Sequence, residues 1–238
     1  EYFRNRNEGL GTTYERFILH RYFKRIKDRY EIQSLLEVPS FGMTGVSGIN
    51  SIWWALGGTR VTVVDNSEER IEFIKRIWKE LSLEATIVYD QSEYGALSFE
   101  DDSFDMGFNF AALWAVPRLE KFLHELTRVS RKVIFISIPN RLNIVHTLRS
   151  VFKRGHLPLI EQNMNPARIK EMMLRLKWKV QKQGFFDVPP WPDIAMNKED
   201  LIKELRFNKF AGRLKERKGN STCIIDYFKG EKKEMRRE

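Results

Sequence analysis

The sequence predicts an α/β protein, a doubly wound and mostly parallel sheet with helices on both faces. Three observations predict it. From residue 33 to residue 139, short apolar or β-branched runs alternate with amphipathic helical stretches, the rhythm of parallel strands joined by crossover helices. The runs "RVTVVD" and "KVIFISIP" are rich in Val and Ile with few interruptions, as strands covered on both faces are. Three successive runs end in a carboxylate, at Glu37, Asp65 and Asp90. In an open parallel sheet such ends gather along the edge where ligands bind.

The elements follow in order. Residues 12–30 predict a helix, because a Thr start precedes Phe17, Ile18, Tyr22, Phe23 and Ile26 at helical spacing. Residues 33–39 read as a short buried strand. Residues 49–58 read as a helix stopped by Gly57 and Gly58. Residues 60–65 form a β-branched strand. Residues 67–81 form an amphipathic helix with Ser67 as its cap and Glu68 and Glu69 in its first turn. Strands are predicted over 85–90 and 104–110. A helix over 117–130 carries Pro117 in its first turn, and a strand over 132–139 follows.

After Pro139 the rhythm breaks. Residues 140–176 read as helices and loops laid over the sheet edge. Residues 177–187 and 221–228 read as two closing strands, and residues 229–238 as a frayed charged tail. One domain is expected over 1–238. It divides into an N-terminal helical cap (1–32), a core (33–139), a substrate-side insertion with closing strands (140–228) and the tail.

Composition narrows the function classes. The 238 residues are 42% hydrophobic and 31% charged, as in a folded, soluble chain. No apolar run approaches the roughly 20 residues of a membrane span, and the opening residues lack a signal-peptide core. A cytoplasmic location is expected. Cys223 is the single cysteine, which excludes an internal disulfide and a cysteine-based metal site. His20, His124, His146 and His156 are scattered, so no metal is expected.

The net charge of +9 is unevenly spread. Residues 38–138 hold 10 basic and 14 acidic residues, whereas residues 139–238 hold 23 and 12. The asymmetry points to an anionic partner or to a solvated lysine-rich surface. The basic stretches "RYFKRIKDRY", "RSVFKRGH" and "RLKWKVQK" interleave aromatics. That pattern suits phosphates held by Lys and Arg with bases stacked on rings. It equally suits amphipathic helices whose aromatics face a core.

The carboxylate-ended strands carry the sharper signal. Asp65 is placed to accept hydrogen bonds from the two hydroxyls of a ribose, and Asp90 to take the exocyclic amine of an adenine. Glycines after the first core strand let the backbone approach a ligand. A dinucleotide site would set a pyrophosphate on a helix N-terminus behind G-x-G-x-x-G. Glu37 would repel that group and suits a cationic amino-acid end. S-adenosylmethionine, with its α-amino group and sulfonium, is therefore the expected cofactor. Its candidate contacts are Glu37, Pro39, Ser40, Gly42, Gly45, Asp65, Asn66, Asp90, Gln91 and Asn109.

The stretch "LSFEDDSFDMGFNF" (97–110) resembles the region of the fourth strand in class I S-adenosylmethionine-dependent methyltransferases, especially the quinone-biosynthesis type. "VTVVDNSEERIEFIKR" is similar to that family's second strand and following helix. The resemblance covers residues 33–138. It implies a Rossmann-like methyltransferase fold, a mostly parallel seven-stranded sheet with helical additions before the core and after its fifth strand. The opening loop departs from the family's acid-x-Gly-x-Gly-x-Gly, since Pro39 stands at the first glycine position. Gly42, Gly45 and Gly48 fall five, eight and eleven places after Glu37. The loop is therefore longer than the family's, and Gly48 stands for its last glycine.

Methyl transfer from a sulfonium is an in-line displacement in which positioning dominates, so no nucleophilic triad is expected. The acceptor is expected beside "NFAALW" (109–114). The family members that methylate exocyclic amines of bases carry Asn or Asp, two prolines and an aromatic there. Here Asn109 and Phe110 are followed by Ala111 and Ala112. "DVPPWPD" supplies Pro-Pro-Trp elsewhere, and Trp191 either walls the acceptor site or packs inward. The candidate catalytic group is Asn109, Phe110 and Trp191. The expected activity is methylation of RNA, at an exocyclic amine such as cytosine N4 in rRNA or tRNA. The alternatives are a small-molecule methyltransferase with the helices at 12–30 and 141–176 as a lid, and a non-catalytic cofactor-binding protein.

Overall fold

The structure, a computed structural model, describes residues 7–8, 10–41, 46–139, 160–185 and 222–235. Its elements are β1 (Asn7–Glu8), α1 (Leu10–Arg29), β2 (Ser34–Glu37), α2 (Ile52–Leu56), β3 (Arg60–Asp65), α3 (Glu68–Glu80), β4 (Thr86–Tyr89) and β5 (Phe104–Phe110). Then come α4 (Leu119–Val129), β6 (Ser130–Ser137), α5 (Pro166–Arg175), β7 (Thr222–Cys223) and α6 (Ile224–Met235). Two short 3-10 turns, Leu113–Ala115 and Glu161–Met164, lie between them.

Five strands form one parallel sheet in the order β4-β3-β2-β5-β6. The chain steps outward from β2 to β3 to β4, then returns to place β5 on the other side of β2. Strand order therefore reverses between β2 and β5, and a crevice opens there at the carboxyl ends.

Alternation along each strand explains the continuous apolar runs. Leu35 of β2 joins a core with Val61, Val63, Met106 and Phe108, covered by Phe23 of α1, Trp54 of α2 and Ile74 and Ile77 of α3. Its neighbour Leu36 joins the opposite core with Val64, covered by Phe122 and Leu126 of α4 and Ile169 and Met172 of α5. Both faces are filled, and each fully buried side chain of this size contributes about 1.5–3 kcal/mol. Ser67 caps α3 as predicted, its hydroxyl accepting from the Arg70 N–H at 3.4 Å.

Four expectations are corrected. Residues 178–185 form no strand; Phe185 there is 77% exposed. Residues 222–223 pair antiparallel with β1, apart from the main sheet, and the chain then turns into α6. The reason is periodic: Ile225 and Phe228, three apart, are both buried, which a helix accommodates and a strand does not. The helix runs on through residues expected to be a frayed tail. Finally, α4 starts at Leu119 with Arg118 at its cap, so Pro117 lies outside it. Arg118 is tied there to the Ser92 carbonyl at 3.2 Å. Among the described residues the main sheet has five strands.

Candidate active site

The crevice between β2 and β5 is built by the residues that leave those strands. Glu37 ends β2 in register with Phe108 of β5 and is 1% exposed. Its Oε2 accepts the hydroxyl and the backbone N–H (3.3 Å) of Ser51, the residue that caps α2. Burial pushes its pKa up to about 7, only partly offset by the Ser51 hydrogen bonds. Across the crevice, Asn109 is fully buried near the end of β5. Its Nδ2 donates to the Val38 carbonyl at 2.9 Å, which fixes the amide. Its Oδ1 has no hydrogen-bond partner among the described residues.

Beyond Asn109 the chain closes over itself. Ala111 adopts a left-handed φ of 53° and donates to the Ser137 carbonyl at 2.9 Å. Trp114 returns its indole N–H to the Ala111 carbonyl at 2.8 Å. From the turn below, the Asn163 amide donates to the carbonyls of Leu113 (3.0 Å) and Val116 (2.7 Å). Phe110 turns into the core beside Phe108, with ring centroids 6.4 Å apart.

Asp65 ends β3 and is fully buried. Its Oδ1 accepts from the Ser67 N–H (2.8 Å) and from Nε of Arg70 (2.9 Å), and forms an ion pair with a terminal nitrogen of Arg70 at 2.7 Å. Its Oδ2 accepts the hydroxyl of Ser40, whose backbone is pinned to Val64 at 3.0 Å. Arg70 also donates to the Asn66 side chain at 2.8 Å, and its guanidinium lies 4.5 Å from the centre of the Phe41 ring. Phe41 meets Trp114 edge-on at 5.3 Å. A chain of contacts thus spans the mouth from β3 to the turn after β5.

Asp90 follows β4. Its carboxylate accepts from the Ser92 hydroxyl (2.9 Å) and the Tyr94 N–H (2.8 Å), which holds the left-handed residues Glu93 and Tyr94 in place. The Tyr94 hydroxyl oxygen receives the Asn66 N–H at 3.1 Å, and burial pushes its pKa well above the usual tyrosine range. Gln91 is exposed. Pro39 follows a cis peptide bond.

Residues 42–135 match the family model described as the methyltransferase domain. Over these residues, about two fifths of the chain, the protein is similar to that methyltransferase domain. The match is to the domain in general and does not single out the quinone-biosynthesis type. No curated protein sequence is similar to the chain. Three solved structures are similar to parts of the chain. One is an S-adenosylmethionine-dependent methyltransferase from Aquifex aeolicus, at 16% identity over 64% of this chain and 77% of that one, TM-score 0.44. A protein from Pyrococcus horikoshii is 20% identical over 56% and 65%, TM-score 0.45. An S-adenosylmethionine-dependent methyltransferase from Methanosarcina mazei is 24% identical over 43% and 49%, TM-score 0.36. In the last two, this chain covers less than two thirds of the other protein. At these identities the likeness concerns fold alone.

The residues around the crevice fit S-adenosylmethionine as the cofactor of such a domain. A buried carboxylate whose pKa no described cation lowers (Glu37) complements an ammonium, and a buried acceptor without a donor among the described residues (Asn109 Oδ1) is ready for an N–H. Of the sequence-predicted residues, the structure brings Glu37, Pro39, Ser40, Asp65, Asn66 and Asn109 around the crevice. Asp90 and Gln91 flank it beyond β4. Gly42, Gly45 and Trp191 lie outside the described residues.

Sequence reasoning missed Ser51, Phe41, Arg70, Trp114 and Asn163. Ser51 carried a signal, as a cap residue directly before "IWW". Arg70, five residues after Asp65, carried none beyond its charge. Among the described residues there is no group of three His, Cys, Asp or Glu side chains placed to hold a metal. No described helix is long and apolar enough to cross a membrane.

Proposed function

We propose that the chain methylates a small, largely apolar acceptor bearing an N–H or O–H at its reacting centre. The carrying observation is the Oδ1 of Asn109, buried, fixed by the bond to Val38, and without a donor. In a low-dielectric crevice such an acceptor binds one polar hydrogen and so aims the lone pair beside it. Bound S-adenosylmethionine supplies an electrophilic methyl group on a sulfonium. Glu37 holds the ammonium at the amino-acid end of the cofactor. Asp65, with Ser40 and Asn66 beside it, receives the ribose hydroxyls, and Asp90 and Gln91 face the adenine. Pro39 shapes the turn between these two ends. Phe110 backs Asn109 from the core rather than stacking on the acceptor. The acceptor side is walled by Ala112, Leu113 and Trp114, all buried, which suits a compact molecule.

The second reading, RNA as substrate, rests on a different surface. Arg21, Lys24, Arg25, Lys27 and Arg29 are exposed on α1, and Lys177, Lys179 and Lys182 follow α5. The two segments meet at Tyr22, whose ring lies 5.5 Å from the Arg25 guanidinium and 5.1 Å from the Lys182 ammonium. A phosphate backbone beside such a ring would bind with marked salt dependence.

One experiment decides between them. The protein is incubated with methyl-tritiated S-adenosylmethionine and either a protein-free small-molecule extract or total RNA. Label in the extract is the expected result. Label in RNA alone transfers the proposal to the basic face of α1, and label in neither rejects both readings.

A further inference from the structure

We infer that Arg70 is an internal competitor for the ribose of the cofactor: it occupies Asp65 in the free protein and must swing out before an adenosine can bind. The inference rests on the proposed role of Asp65 as the ribose acceptor.

A carboxylate offers about four acceptor positions, two on each oxygen, and on Asp65 at most one, on Oδ2, is left. The Ser67 N–H and the Arg70 Nε donate to Oδ1, a terminal nitrogen of Arg70 pairs with the same oxygen at 2.7 Å, and the Ser40 hydroxyl takes Oδ2. Two ribose hydroxyls cannot be added to this set; a donor must leave. The Ser67 N–H belongs to the capped start of α3 and cannot move without unwinding it. Ser40 is held at its backbone by Val64 and Gly48. Arg70 is the movable donor, since its side chain is 24% exposed while Asp65 is fully buried.

The position of Arg70 supports the same conclusion. It lies in the first turn of α3, where the helix dipole opposes a cation. Asp65, the Asn66 side chain and the Phe41 ring together hold it there against that field. Phe41 also leans on Trp114, so a departing Arg70 releases one side of the ring that spans the mouth. Admission of the cofactor and opening of the mouth are thereby one event.

A latch closed about 90% of the time weakens apparent affinity about tenfold. Isothermal titration calorimetry is run on wild type, Arg70→Met, Arg70→Lys and Asp65→Asn, with S-adenosylmethionine, adenosine and methionine as separate probes. Stopped-flow tryptophan fluorescence gives the association rates. Arg70→Met is expected to bind S-adenosylmethionine and adenosine about tenfold tighter and to associate faster, with methionine unaffected. Arg70→Lys is expected to fall between, because an ammonium cannot reproduce the fork. Equal or weaker adenosine binding in Arg70→Met overturns the latch. If that variant does not fold, an Arg70→Lys no tighter than wild type overturns it. Asp65→Asn binding as well as wild type removes Asp65 from the ribose site, and the latch with it. Failure of every protein to bind S-adenosylmethionine overturns the cofactor assignment itself.

Discussion

Ser51 meets Glu37 twice at one oxygen: its backbone N–H, at 3.3 Å, and its hydroxyl both donate to Oε2. The carboxylate is thereby oriented toward the crevice but not neutralised. Among the described residues, no cation is one of the groups that shift its acidity.

Stability should therefore depend on pH through Glu37. Its carboxyl is raised from 4.5 to about 7. Between those values the folded chain keeps a proton that the unfolded chain has released. Stability is then highest below the lower value and falls as pH rises through the window, by roughly 3 kcal/mol in all. Thermal unfolding at pH 5 and pH 8 reads this directly. Glu37→Gln should match wild type at pH 5, exceed it at pH 8, and flatten the profile. Because the ionised form is the one that pairs with an ammonium, affinity for S-adenosylmethionine should rise over the same interval.

Removing the Ser51 hydroxyl leaves Glu37 with the single longer N–H contact. Ser51→Ala should cost about 1–3 kcal/mol at pH 8 and much less at pH 5, where the carboxyl is protonated. A loss of equal size at both pH values in urea unfolding would show that the hydroxyl matters for the α2 cap and not for the charge.

Gly48 sits in the left-handed region at φ 65°, and a Cβ there would lie 2.6 Å and 2.8 Å from Cδ1 and Cγ1 of Ile74. Ile74 is fully buried and has no room to yield. The Gly48 carbonyl also accepts the Trp78 indole N–H at 2.8 Å. Gly48→Ala should destabilise the fold by about 2–3 kcal/mol, measured as a lowered urea midpoint with unchanged slope.

Asn163 holds two buried carbonyls with one amide. Asn163→Leu takes this donor from the Val116 carbonyl and leaves the Leu113 carbonyl with the Val116 N–H at 3.1 Å, at a cost of about 1–3 kcal/mol. The turn it supports carries Trp114, so the KM for the acceptor should rise more than the Kd for the cofactor. Parallel calorimetry and initial-rate measurements separate the two.

Asn109→Leu tests the carrying residue. It should lower kcat/KM about 10- to 100-fold through loss of one buried hydrogen bond to the reacting group. Cofactor affinity measured by calorimetry should change little. A variant that loses cofactor binding instead would move Asn109 to the ammonium of the cofactor.

The parallel sheet, its five carboxyl ends and the position of Glu37, Asp65 and Asn109 were legible in the residues themselves. Strand and helix periods are local, and acids at strand ends follow from counting along the chain. The same locality misled at the C-terminus. The β-branched pair of Ile224 and Ile225 suggested a strand, whereas burial of Phe228 beside His20 of α1, with ring centroids 6.1 Å apart, selected a helix. Residues 178–185 alternate like a strand, but a strand exists only where another backbone offers hydrogen bonds.

The amino-acid sequence by itself determined the sheet and the set of carboxylates that face its ligand edge, because alternation, capping and helical period act within a few residues. Only the tertiary structure decided how each carboxylate is used. Ser51 reaches Glu37 across 14 positions, Ser40 reaches Asp65 across 25, and Asn163 reaches Val116 across 47. Partners at such separations meet only once the strands have stacked. The low dielectric produced by that stacking then makes a hydrogen bond, or its absence, decisive for charge and affinity.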